Sequence, residues 1–248
     1  MLRVRPVHFT SRPEKWEELL AALGLAKTVD HGPWREFDAG SGRLALHVTE
    51  PGSPDDGSTS LGVEVGDLAE FARRTGLAAE ESGSTTAELI TADHGESCRI
   101  TGRDGFSFLA DLGAREVDSG GADPAVTVVG VWFTAEPGPA AMTLQDIGGR
   151  FRPVPDADET ADFTAKNGGV LMVRPASGPP RSSLGFEYDG DLAALRDRLT
   201  AAGLEVSETE EAFGRTLHVA NPDAAGAAIP AAHVPPTLWI SQRLTELV

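Results

Sequence analysis

The sequence contains a single cysteine, Cys98, among its 248 residues. One thiol cannot form a disulfide within the chain, and such low cysteine usage suits a reducing compartment. The first residues, 1–6, also lack the apolar stretch of a secretory signal. We therefore expect a cytoplasmic protein. Because Cys98 lies in an alternating strand pattern without a cluster of basic residues to lower the pKa of its thiol, we predict that this cysteine is buried and unreactive.

Basic residues are also scarce. The chain has 21 Lys and Arg against 38 Asp and Glu, so its net charge is −17, and this charge is spread along the sequence. Binding to nucleic acid or to anionic lipid requires clustered basic residues, and the apolar runs are too short to span a bilayer. We expect no nucleic-acid partner and no membrane partner. An acidic surface favours a cationic or neutral small-molecule ligand.

Several motifs of nucleotide and hydrolase chemistry are missing. The sequence has no Gly-x-Gly-x-x-Gly, no phosphate-binding loop and no Gly-x-Ser-x-Gly elbow. The segment His94-Gly95-Glu96 lacks the second histidine of a zincin motif. Nucleotide-dependent enzymes and serine hydrolases are therefore disfavoured.

The sequence instead repeats itself at a spacing of about half its length. The run SLGVEVGDL from Ser60 returns as SLGFEYDGDL from Ser183. Residues 7–10 (VHFT) likewise match residues 131–134 (VWFT), and Asp104 matches Asp223. Repetition at a fixed period indicates a duplicated fold. Function is then expected where the two copies differ.

Each half divides again into two units that read as a strand, a helix and about three strands. In the first unit, Ser11 and Glu14 have the spacing of a capping box, and an apolar helical stripe follows. In the second unit, Asp67 is the predicted helix cap. We predict an α+β fold of four tandem βαβββ modules. The predicted boundaries are a first domain at 1–113, a Gly- and Asp-rich linker at 114–124 and a second domain at 125–248.

This organisation resembles the vicinal oxygen chelate (VOC) superfamily, which includes glyoxalase I, bleomycin-resistance proteins and extradiol dioxygenases. The run from Ser60 to Leu68 resembles the family's His-Ile-Ala-Phe-Glu-Val-x-Asp-Leu run with the His replaced. Residues 102–105 (GRDG) and 221–223 (NPD) resemble its Asp-Pro-Asp-Gly turn. The resemblance implies two VOC-type domains with internal pseudo-symmetry.

The resemblance also implies metal ligands on the first strand of each unit, often His, and on the last strand, often Glu. In the first half the matching positions are His8, His47, Ser60 and Leu109. In the second half they are Trp132, Val173, Ser183 and Ile229. Only half of one ligand set is present. A site for Zn, Ni, Mn or Fe would need His8 and His47 with Glu64 or Asp111, which share strand parity with Ser60 and Leu109.

Other interpretations of these residues stay open. His8 and His47 are better explained as hydrogen-bonded side chains lining a cavity than as metal ligands, and they could also orient a ligand or move a proton without a metal. Trp132 either fills the second cavity or stacks on an aromatic ligand. Trp34 either lines a pocket or packs in the core.

We therefore predict a glyoxalase- and bleomycin-resistance-like protein that binds a small organic molecule, cationic or aromatic, in a cavity of the first domain. The predicted binding residues are His8, His47, Ser60, Glu64, Trp34 and Trp132. No catalytic residue and no cofactor are assigned, because sequestration of the resistance type is preferred to catalysis. The alternatives are a metal-dependent lyase, isomerase or dioxygenase using His8 and His47, and a catalytically inactive scaffold. Both a monomer and a homodimer are compatible with the sequence.

Overall fold

The computed structural model describes residues 1–113, 120–153, 159–211, 214–224 and 234–243. Within these ranges the chain repeats the order strand, helix, strands four times. The first module contains β1 (Leu2–Val4), β2 (Val7–Thr10), α1 (Pro13–Leu23), β3 (Ala26–Asp30), β4 (Trp34–Asp38) and β5 (Arg43–Val48). The second contains β6 (Thr59–Ser60), β7 (Gly62–Val65), α2 (Leu68–Ser82), β8 (Thr85–Ala92), β9 (Gly95–Gly102) and β10 (Ser107–Leu112).

The second half follows the same plan. The third module contains β11 (Val126–Thr134), α3 (Pro137–Asp146), β12 (Arg150–Arg152), β13 (Ala161–Thr164) and β14 (Val170–Pro175). The fourth contains β15 (Arg181–Tyr188), α4 (Leu192–Ala201), β16 (Val206–Glu211), β17 (Gly214–Ala220) and β18 (Thr237–Gln242). The predicted α+β class is confirmed. No described helix is long and apolar enough to cross a membrane.

The predicted N-terminal cap is correct for helix α2 and wrong for helix α1. Asp67 caps α2 as predicted, since its side chain accepts a hydrogen bond from the backbone N–H of Glu70 at 2.9 Å. The capping box predicted for α1 is wrong. Helix α1 begins at Pro13 without a side-chain cap, because the Ser11 hydroxyl donates to Asp56 at 3.0 Å instead.

The described residues pack into two compact units. The first unit contains residues 1–6, 60–113, 129–153 and 159–183, and thus combines the second and third modules. The second unit contains residues 7–59, 120–128, 184–211, 214–224 and 234–243, and combines the first and fourth modules.

These units differ from the predicted domain boundaries at 113 and 125. Among the described residues, each named sheet takes its strands from one half of the chain. A few backbone hydrogen bonds do join the halves, such as those between Ser41 and residues 126 and 128. Side-chain burial does not keep to the halves, because the apolar face of α1 packs with that of α4 in one core. The sequence repeat reveals the duplication of strands, whereas the packing partner of each helix depends on tertiary structure. Residues 114–119 of the predicted linker lie outside the described residues.

In the second unit, one core joins the two helices and both groups of strands. Strands β3-β4-β5-β2-β6 form one sheet, and β15-β18-β17-β16 are hydrogen-bonded neighbours in another. In both sets of strands every second side chain points towards the helices, because successive side chains of a strand point to opposite faces. The core includes Trp16, Leu19, Leu20 and Leu23 of α1, Leu192, Leu195 and Leu199 of α4, and Phe37, Leu44, Leu46, Leu184, Phe186 and Ile240 of the strands.

The first unit is built the same way. Its strands have the orders β1-β7-β10-β9-β8 and β12-β13-β14-β11. Its core draws on both groups of strands and on α3, with residues of α2 packed against it. In the second unit the strand faces that point away from the helices carry polar side chains and partly exposed rings, such as Glu36 and His47.

Candidate functional site

Strand register decides which predicted site residues share a face. In the parallel pair of β2 and β5, His8 lies beside Leu46, and Phe9 lies beside His47. Neighbours in register share a face, and successive residues alternate. His8 therefore points towards helix α1, whereas His47 points to the helix-free face. The two imidazoles are on opposite faces of one sheet and cannot share one ion as the metal hypothesis required.

His8 belongs to a buried hydrogen-bonded cluster. Its Nε2 donates to Asp223 Oδ2 at 2.8 Å, and its Nδ1 lies 2.9 Å from the Thr59 hydroxyl. The same carboxylate accepts hydrogen bonds from Trp16 Nε1 at 2.7 Å and from the Thr10 hydroxyl at 2.5 Å. The His8 ring also packs on Trp16, with ring centroids 4.1 Å apart. With both nitrogens engaged, His8 is placed to hold the turn that carries Asp223.

The charge of Asp223 is stabilised by these donors. Burial raises the pKa of this carboxyl, but the hydrogen bond and charge of His8 and the hydrogen bonds from Thr10 and Trp16 outweigh it. The pKa of Asp223 consequently lies below its usual 3.8. The carboxylate is ionised at neutral pH and functions as the acceptor at the centre of the cluster.

Trp132 occupies the equivalent place in the first unit. Its Nε1 donates to Asp104 at 3.1 Å, and the Thr134 hydroxyl donates to the same carboxylate oxygen at 2.6 Å. The ring is fully buried and packs on Phe106, with centroids 4.9 Å apart. Trp132 therefore lies in the helix-side core, where it neither offers a face to a ligand nor fills a space on the helix-free side. It replaces His8 as a ring N–H donor to a turn aspartate.

The helix-free face of β2, β4 and β5 carries a group of aromatic rings. His47 lies between Phe9, at a centroid distance of 5.3 Å, and Trp34, at 6.0 Å. All three side chains are partly exposed. Trp34 Nε1 donates to Glu36 Oε1 at 3.2 Å, which fixes the indole on this face. We call Phe9, Trp34, Glu36 and His47 the aromatic face.

A buried ion-pair cluster adjoins the aromatic face. Arg43 donates to both oxygens of Asp38, at 2.6 and 3.0 Å, and to Glu36 Oε2 at 2.7 Å. These three side chains are almost fully buried. Bidentate pairing of an arginine with a carboxylate is both strong and geometrically specific. The cluster gives Glu36 a fixed position from which it orients Trp34.

The other predicted site residues lie elsewhere. Glu64 and Asp111 belong to the first unit, where Glu64 pairs with Arg3 and Asp111 pairs with Arg5. Asp111 Oδ1 also accepts from the Ser97 hydroxyl at 2.6 Å. Ser60 is exposed at the end of β6. The carboxylates predicted to complete a metal site are thus engaged by arginines of their own unit.

Comparisons with known proteins agree on the fold. No family model matches the chain, and no curated protein matches it. Among solved structures, the Mn(II)-bound glyoxalase from Novosphingobium aromaticivorans is similar, with a TM-score of 0.60 and 12% sequence identity over 98% of this chain and 81% of that one. The chain has the VOC fold.

Two dioxygenases extend the comparison. A variant of homoprotocatechuate 2,3-dioxygenase from B. fuscum in complex with HPCA matches with a TM-score of 0.62 at 12% identity, over 98% of this chain and 70% of that one. A catechol 2,3-dioxygenase matches with a TM-score of 0.58 at 13% identity, over 98% and 87%. The structural neighbours of this VOC fold are therefore a glyoxalase and extradiol dioxygenases.

Because one structural neighbour with this fold binds Mn(II), we asked whether the side chains of this chain could also bind a metal ion. Among the described residues, no group of three or more His, Cys, Asp or Glu side chains is arranged to hold a metal ion. On the aromatic face, β2 presents Phe9 where a nitrogen or oxygen donor would be needed. Ile229, one of the positions matched to the family, lies outside the described residues. The described residues thus do not fit a metal site.

Sequence reasoning missed three residues that organise these clusters. Asp223 lies in a family-like turn that repeats at Asp104, but its contact with His8 spans 215 residues, so no local pattern predicts it. Glu36 and Arg43 are not among the predicted site residues. The alternation of Trp34, Glu36 and Asp38 along β4 was the available signal, because it places all three side chains on one face.

Proposed function

We propose that this protein binds a small organic molecule against the aromatic face and sequesters it without a metal. The observation that carries the proposal is the group of partly exposed rings around His47 beside a buried, fixed carboxylate. Ligand sites are mostly apolar and aromatic with a few well-placed polar groups. The VOC fold of the chain supports small-molecule binding, since one structural neighbour was solved in complex with HPCA.

The chemistry of the aromatic face indicates the kind of ligand. Indole and phenyl faces attract flat rings and organic cations. Glu36 adds negative charge close to Trp34, and His47 offers a ring nitrogen that can donate or accept a hydrogen bond. An aromatic or cationic molecule is the ligand that this combination suits best. His8, Ser60, Glu64 and Trp132 are no longer needed for binding in this proposal.

Calorimetric titration of the whole chain with metal-free bleomycin and, separately, with catechol tests the proposal. Bleomycin represents a cationic ligand with aromatic groups, and catechol a small neutral one. Trp34→Ala should weaken binding of whichever probe binds by at least about tenfold, equivalent to 1.4 kcal/mol. His218→Ala, a partly exposed histidine of the same unit, is the matched control and should leave binding unchanged. The absence of binding by both probes, or equal binding by Trp34→Ala, would contradict the proposal.

A metal-dependent VOC enzyme is the second candidate, favoured by the Mn(II)-bound glyoxalase among the structural neighbours. Protein incubated with Mn, ferrous iron, Zn or Ni and then desalted should retain about one equivalent of metal if this candidate is correct. His47→Ala should then lose the metal. His8→Ala should keep it, because His8 lies on the opposite face of the sheet. Plasma mass spectrometry that finds no retained metal would reject the second candidate.

A further inference from the structure

Strand β8 is the longest of the strands that end a sheet in the described part of the chain. It has eight residues, whereas the other five terminal strands, β1, β3, β6, β12 and β16, have two to six. A sheet edge presents backbone N–H and C=O groups that can pair with a further strand. We propose that β8 is a self-association surface, to which a second copy of this chain adds its own β8 in antiparallel orientation.

Three other edge strands, β3, β12 and β16, have features that discourage a further strand from pairing with them. Strand β3 has a register irregularity between Lys27 and Val29, and Lys27 pairs with Asp30. Strand β16 has three glutamates among six residues, and β12 has two arginines among three. Charges, bulges and shortness are the usual protection of an edge. The β8 sequence TTAELITA has no Lys, Pro or Gly and only one charged residue, so it lacks this protection.

Local charge also favours self-association at β8. The net charge of −17 opposes contact between two copies over most of the surface. On β8 the single charge, Glu88, lies directly opposite Arg99 of β9. Opposite charges in a cross-strand pair offset one another. The single charge of β8 is therefore offset within its own sheet, although the carboxylate of Asp146 contacts Thr85 at the start of the strand.

Leu89 indicates the register of the pairing. It lies beside Cys98, on the face of the sheet that packs in the core of the first unit, yet 53% of its surface is exposed. A two-fold axis through Leu89 would place the two Leu89 side chains opposite each other, with Cβ atoms about 5 Å apart. Glu88 would then lie opposite Ile90 rather than opposite the second Glu88. This register covers Leu89 and avoids a pair of like charges.

The pairing is also compatible with the size of the sheet. Two copies of the five-stranded sheet β1-β7-β10-β9-β8 would join into one sheet of about ten strands, which is within the range of open sheets. The contact would use the same surface on both copies, as in most homodimers.

Sedimentation velocity of the whole chain over a concentration series measures the association. We expect a species of twice the 26.0 kDa chain mass that dissociates on dilution. Leu89→Lys should weaken dimerisation by more than about tenfold, because it removes apolar contact and places two like charges opposite each other. Leu112→Lys is the control, since Leu112 is 64% exposed in the same unit but lies at the end of β10. A wild-type chain that stays monomeric at every concentration would overturn the proposal.

Cysteine cross-linking tests the register independently of affinity. Leu89→Cys should form a disulfide-linked dimer in oxidised glutathione, because directly opposite Cβ atoms are close to the separation of a disulfide. Ile90→Cys should cross-link far less, because its counterpart lies diagonally at about 7–8 Å. Both variants also carry Cys98→Ala, because position 89 lies directly opposite the native Cys98 and would otherwise form a disulfide with it within the chain. A wild-type dimer in which Leu89→Cys fails to cross-link would place the interface elsewhere and refute this assignment.

Discussion

At the scale of single residues, His8 and Trp132 have different side chains but the same role as hydrogen-bond donors. Each donates a ring N–H to a partly buried turn aspartate, Asp223 or Asp104. Removing His8 takes away one of three donors to the ionised Asp223, and a lost hydrogen bond to a charged group costs about 1.5–3 kcal/mol. We expect His8→Ala to lower the free energy of unfolding by about that amount, measured by urea denaturation. His218→Ala, which removes only a hydrogen bond to Thr209 at a partly exposed site, should cost less than about 1 kcal/mol.

The donor, rather than the imidazole as such, is the required feature at position 8. His8→Gln keeps an N–H group of similar reach, so it should recover part of the stability that His8→Ala loses. Equal urea midpoints for wild type and His8→Ala would show that the Asp223 cluster contributes little.

The ionisation of Asp223 gives stability a defined pH dependence. Its pKa is lower in the folded chain than the usual 3.8, so the unfolded chain binds this proton more tightly. The stabilisation is therefore fully present above about pH 5 and is lost as the pH falls through the lower folded pKa. Urea midpoints measured from pH 7 to pH 3 should fall more steeply for wild type than for Asp223→Asn. Parallel curves for the two proteins would contradict this contribution.

Burial makes the thiol of Cys98 less reactive. Desolvation raises the pKa of its thiol to about 11, although a backbone hydrogen bond from Glu88 lowers it slightly. The predicted buried cysteine is confirmed. Because the thiolate is the reactive form, we expect no reaction with a thiol reagent at pH 8 in the native protein. One equivalent should react once the chain is unfolded in guanidinium, and rapid native labelling would contradict the buried state.

At the scale of secondary-structure elements, two glycines should respond oppositely to the same substitution. Gly76 lies inside α2, and a Cβ added there would meet no atom within 4 Å. Gly76→Ala should therefore stabilise the protein by about 0.5–1 kcal/mol, the difference in helix propensity. Gly185 lies on β15, and a Cβ there would overlap the ring of Trp239. Gly185→Ala should destabilise by about 1–3 kcal/mol. Thermal unfolding of both variants tests the contrast, and shifts of equal sign would contradict it.

Helices and strands could be predicted from the sequence where the apolar periodicity was strong. The tertiary contacts between them could not be predicted. The apolar stripe of α1 and the Asp67 cap of α2 follow local rules, and both appear as predicted. The start of α1 does not, because Asp56, distant in sequence, takes the hydrogen bonds of Ser11. Local propensity is overridden wherever a tertiary partner supplies a better hydrogen bond.

At the scale of the whole molecule, the sequence predicted the fold correctly but placed one candidate site residue on the wrong face of its sheet. The family resemblance identified the fold, and the comparisons confirm the VOC fold at 12% identity. It also assigned His8 to a ligand position, although the alternation along β2 turns that ring towards α1. A shift of one residue along a strand moves a side chain to the other face of the sheet. Trp34 and His47 lie opposite each other in neighbouring strands, a pairing that the sequence alone did not predict.

The packing of the first module against the fourth has a consequence during synthesis on the ribosome. Chains emerge from the N-terminus, so the apolar stripe of α1 is complete long before α4 exists. Until residues 192–201 emerge, Trp16 and Leu20 lack the helix with which they share a core in the finished protein. This apolar surface is therefore made well before the helix that helps to cover it. Dependence on chaperones is expected to be greatest in this interval.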